Sequence, residues 1–115
     1  MYSYQVIWHT ENNNSDTGEI EHEAETIPII HQSKSKEGRY EVIKITFSPI
    51  PDFEIYARAV FNILDGNNNI ILTNSFDVYD DGNVEIHEPS STYSKVSLEE
   101  CTLIDDELNC EIYWN

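Results

Sequence analysis

The chain has 115 residues and a formal net charge of −16, from 22 acidic and six basic side chains. Such a field repels nucleic acid and anionic membrane and attracts basic surfaces. The length allows one domain over residues 1–115. The apolar share of 39% is too high for a disordered acidic tail, and no apolar run approaches the roughly 18 residues that a membrane helix needs.

Met1–Trp8 alternates, with Tyr2, Tyr4, Val6 and Trp8 on one face, and reads as an aromatic-rich strand. It has no basic segment and no small-residue cleavage site, so it is not expected to be a signal peptide, and the expected location is the cytoplasm. A polar loop follows. Glu19–Thr26 alternates strictly, which predicts a strand with Glu19, Glu21, Glu23 and Glu25 on its wet face and His22 among the half-buried residues. Pro28 demotes Ile27–Ile30 to an edge or a connection, and Gln32–Gly38 reads as a basic loop. Tyr40–Phe47 is a strand with Ile43, Ile45 and Phe47 in line.

Phe53–Leu64 is the longest predicted strand, with Phe53, Ile55, Ala57, Ala59, Phe61 and Ile63 on one apolar face. Asp65-Gly66 turns it into Ile70–Tyr79. Asp80–Asn83 turns again into Val84–Glu88. Lys95–Ile104 is a strand, although Ser97–Glu100 also fits a capping box and Ser97–Ile104 therefore admits a short helix. Asp105–Glu107 turns into a last strand with Leu108, Cys110, Ile112 and Trp114 on one face. About eight strands with turns roughly every 12 residues predict an all-β antiparallel sandwich or small barrel. If Asp105-Asp106 is a two-residue turn, Cys101 lies directly opposite Cys110.

Negative charge is uneven. Residues 1–33 hold six acids and no Lys or Arg; residues 75–115 hold eleven acids and Lys95; the middle balances at five against five. The glutamate row is the best-defined feature. Alternate residues of a strand lie about 6.6 Å apart on one face, close to the step between phosphates of a nucleic-acid strand. The competing reading is an edge strand protected by charge. Asp77–Glu88 overlaps a calcium-loop pattern, but Tyr79 stands at a ligand position and the flanks read as strands, not helices. No nucleotide-binding or hydrolase motif occurs, and no metal or cofactor site and no catalytic residue is expected.

The expected function is that of a small acidic inhibitor, not an enzyme, which docks on the basic, nucleic-acid-binding surface of a partner protein such as a nuclease. An anti-defence protein of a phage and a toxin-immunity protein are the two biological settings. The expected contacts are Glu19, Glu21, Glu23, Glu25, Asp80, Asp81, Asp105, Asp106 and Glu107, with no direct contact to nucleic acid or membrane. The alternative is a structural or binding sandwich module whose acidity serves solubility alone.

Overall fold

Period-two alternation becomes strands almost throughout. In a computed structural model, which describes residues 1–13, 17, 18, 20–90 and 95–115, there are nine strands and no helix. They are β1 (Ser3–Asn13), β2 (Ile20–Thr26), β3 (Ile29–Glu37), β4 (Tyr40–Phe47), β5 (Tyr56–Leu64), β6 (Ile70–Tyr79), β7 (Val84–Ile86), β8 (Val96–Ile104) and β9 (Glu107–Trp114). Two antiparallel sheets form, in the orders β2-β1-β5-β6-β7 and β3-β4-β9-β8. Their apolar faces meet as a β-sandwich.

The core is the set of alternating residues that the sequence pattern marks. Trp8, Phe47, Phe61, Phe76, Ile63, Leu108 and Ile112 are fully buried between the sheets. Each large side chain withdrawn from water contributes roughly 1.5–3 kcal/mol. The Trp8 ring meets Phe53 at 5.6 Å, and Tyr4 receives a hydrogen bond from the Trp114 indole at 2.9 Å, which ties the start of one sheet to the end of the other. Burial raises the Tyr4 hydroxyl pKa, and the Trp114 bond only partly offsets it.

Ser97–Ile104 is the expected strand, and the helix that its capping box admits does not form: β8 pairs along its length with β9, and Val96, Leu98 and Cys101 turn inward. Other expectations are corrected. Gln32–Gly38 is not a loop but most of β3, held to β4 from Ile29↔Phe47 to Glu37↔Tyr40. It lacks an alternating signal because all nine of its residues are exposed. The strand expected from Phe53 begins at Tyr56, and Ile55 is 72% exposed, not in the core. His22 is exposed. Glu23 and Glu25 also sit on the other face from the expected one. Glu25 pairs with Trp8 and Glu23 with Thr10, and directly paired residues share a face, so these acids continue the core-side face beyond the edge of the core.

β2 and β3 form one ribbon that changes sheets at Ile27–Pro28. Ile27 donates its backbone N–H to Val6, completing the ladder with β1; at the next residue, Pro28 accepts from Ser48 beside β4. Ile27 is the ribbon's one buried residue among those whose side chains are described.

The C-terminal hairpin has the two-residue Asp105-Asp106 turn, with Ile104 opposite Glu107 and Cys101 opposite Cys110. Asp105 takes φ +56°, a left-handed conformation that Asp tolerates. The two thiols are free and buried, with their sulfurs 3.1 Å apart, and burial pushes the Cys110 thiol well up. Mild oxidation of the folded protein is therefore expected to give an intramolecular Cys101–Cys110 disulfide as the sole product, visible by mass spectrometry as the loss of two hydrogens without dimer formation. Recovery of intermolecular disulfides alone would contradict this register.

Candidate acidic docking site

Strand direction decides where the acids gather. Register pairs Tyr56 with Tyr79, Phe47 with Leu108 and Ile104 with Glu107, so the β6–β7 turn, the β8–β9 turn and the connection from β4 to β5 all lie at one end of the sandwich. Backbone bonds join them. Asp80 donates to Ile55 (3.0 Å), Ile50 donates to Asp106 (2.8 Å) and Leu103 donates to Gly82 (3.4 Å). Gly82 at φ +92° is required there, because a Cβ would stand 2.8 Å from the Leu103 carbonyl oxygen.

Asp80, Asp81, Asp105, Asp106 and Glu107, expected as contacts from sequence, are thus brought together. Asp52 and Glu54, which sequence reading did not single out, stand on the connection between the two turns. All seven side chains are exposed. The signal for these two was only their place beside Pro51 in a loop whose course depends on tertiary pairing. Asp81 also has a local duty: it accepts from the backbone and side chain of Asn83, fixing the turn.

Apolar side chains stand among these acids. Ile55, Tyr56 and Ile104 are 72%, 54% and 61% exposed. Tyr56 donates its N–H to Glu54 (2.8 Å), closing a γ-turn around Ile55, which is held at φ +67°. A β-branched residue in the left-handed region costs about 1–3 kcal/mol. The turn aims Ile55 into solvent when relaxed backbone would continue the strand inward.

The glutamate row stands apart from this cluster, on the ribbon edge. Glu23 and Glu25 are exposed on β2, Glu21 pairs by register with Asn12, and Glu19 lies outside the described residues.

Two further groups of ionisable side chains lie on the outer sheet faces. On the β5–β6 face, Asp77 is nearly buried and accepts from Arg58 Nε (3.1 Å) and bonds His87 Nε2 (2.9 Å). Burial works to raise its pKa, but the bonds and charges of Arg58 and His87 outweigh it and hold the carboxyl below its ordinary value. This commits Asp77 to its neighbours and not to a calcium loop. On the other face, Glu100 lies directly opposite Glu111, with Lys44 3.8 Å from Glu111. Partial burial first, then the Glu100 carboxyl, raise the Glu111 pKa against the pull of Lys44. No family model, curated protein or solved structure matches the chain.

The two carboxylates give opposite pH signatures. A depressed pKa contributes stability above the unfolded-state value, lost as pH falls through the folded one. Asp77→Asn is therefore expected to cost about 1 kcal/mol in urea unfolding at pH 7, and the difference should fade below about pH 4. A raised pKa is a penalty on the charged form. Glu100→Gln should accordingly stabilise by roughly 0.2–1 kcal/mol at pH 7, with the gain vanishing in acid as the Glu111 carboxyl takes up its proton. A Glu100→Gln variant less stable than the parent at pH 7 would refute the repulsion.

Proposed function

We propose that this protein is a non-enzymatic inhibitor that covers a basic, nucleic-acid-binding surface of a partner protein with its acidic end. The observation that carries the reading is the grouping of seven exposed carboxylates around Ile55, Tyr56 and Ile104. Charge and apolar anchors have separate tasks in such a contact. Unpaired carboxylates steer a basic partner and raise the on-rate. Apolar and aromatic side chains at the centre slow dissociation once water is expelled. A surface acidic for solubility alone has no need to hold a β-branched residue outward in a strained turn. Anti-defence and immunity roles both use this chemistry.

The test separates the two tasks. The probe is a purified basic nuclease, with its cleavage of duplex DNA and its binding kinetics both followed. Replacing Asp80, Asp81, Asp105 and Asp106 by Asn preserves both turns, since Asn accepts in the same way and tolerates φ above zero. The quadruple variant is expected to associate about tenfold more slowly at low salt, with little change in dissociation. Ile55→Gly relieves the backbone and should fold at least as stably, yet dissociate faster. Association of the quadruple variant at the parent rate in low salt would sink the proposal.

A further inference from the structure

The β2–β3 ribbon is a second unused surface. β2 and β3 are the edge strands of their sheets, on the side where the chain passes from one sheet to the other. Charge is ordered along the ribbon. Glu23 and Glu25 lie on its first half, Ile29 and Ile30 (40% and 56% exposed) at its middle, and Lys34 and Lys36 on its second half. A strand that is negative, then apolar, then positive is complementary to itself when reversed.

We propose that two copies of this chain pair antiparallel along this ribbon, with Ile29 of each against Ile30 of the other at the two-fold axis, Glu25 against Lys34 and Glu23 against Lys36. Each sheet of one copy then continues into the opposite sheet of the second, and a two-fold contact of this kind is closed. Two observations agree with the register. Glu25 shares a face with fully buried Trp8, and Lys34 shares a face with Ile43, so both charge rows stand on core-side faces and meet when the sheets join. Among the described residues Lys34 has an exposed contact, to Glu41 at 3.1 Å, which a second carboxylate can share.

Two features oppose pairing. Both copies are strongly negative, and Pro28 offers no N–H to the new ladder. Edge lysines and prolines commonly block strand pairing. What distinguishes this edge is that each lysine has a glutamate in matching register, giving four opposed Glu–Lys pairs by symmetry. The contact uses none of the carboxylates of the acidic end, so its failure would leave the docking proposal standing, and the reverse also holds.

The experiment is sedimentation velocity over a concentration series with the full chain. The parent is expected to show a concentration-dependent dimer. Lys34→Glu/Lys36→Glu should weaken it about tenfold or more. Glu23→Lys/Glu25→Lys should weaken it by a similar factor, although it lowers overall repulsion. The equimolar mixture should form a heterodimer at least as tight as the parent dimer, because every opposed pair then has opposite signs. Circular dichroism checks that each variant folds; Lys34→Gln/Lys36→Gln replaces a reversal that does not. A parent that stays monomeric throughout, a dimer indifferent to both reversals, or a mixture without heterodimer would each overturn the proposal.

Discussion

One constraint governs the molecule: a single apolar layer must be sealed between two sheets, and none of 22 acidic side chains can lie within it unpaired. Burying an isolated carboxylate costs several kcal/mol. The buried cluster accordingly contains aliphatic, aromatic and cysteine side chains alone. The nearly buried acid, Asp77, lies on the outer face of its sheet and is held by Arg58 and His87. The remaining acids must take turns, edges and outer faces. With short connections, that leaves them few places, and the topology sends the turns rich in Asp to one end.

This explains why acidity costs the fold little there and more elsewhere. Carboxylates on turns at the rim face water, where each pairwise repulsion is small. Glu100 against Glu111 is different. The two are directly opposed on neighbouring strands, and Lys44 on a third strand is what moderates them. Three of the six bases are therefore spent within the sheets, Lys34 on Glu41, Lys44 on Glu111 and Arg58 on Asp77. The end turns have no comparable ion pair among the described residues. A surface left uncompensated in this way is available to an external cation-rich partner.

How far the sequence foretold this depends on the type of signal. Tyr4–Trp8, Tyr40–Phe47 and Ala57–Ile63 alternate and are buried on one side, so period two revealed both the strands and their inner faces. The Asp105-Asp106 turn fixed a register that placed Cys101 against Cys110. β3 was hidden because its nine residues are exposed on both faces; it is a strand only because β4 offers it a ladder. The face of Glu23 and Glu25 was misjudged for a related reason. Alternation of Glu with Ile, His, Ala and Thr implies a buried side, but β2 lies beyond the core and the partner strand, through Trp8, decides which face is inward. Ile55 escaped because strict alternation continued through a residue that the backbone turns outward. The site was legible as five acids on two turns; their assembly with Asp52 and Glu54 required the chain to cross between sheets.

The same crossing links the two surfaces. Because β2 hands over to β3 at Ile27–Pro28, the ribbon carries the acidic half of one sheet edge and the basic half of the other in one continuous strand. A hairpin in place of the crossing would have set Glu23 and Glu25 beside Lys34 and Lys36 within one molecule, and the charges would have neutralised each other internally. Running straight on instead, the chain keeps them apart along the long axis, where a second molecule can bring opposite charges together. In the proposed antiparallel pair the two acidic ends face opposite directions along the long axis, and under the proposed docking role two such ends on one body raise the effective concentration of the second contact once the first has formed.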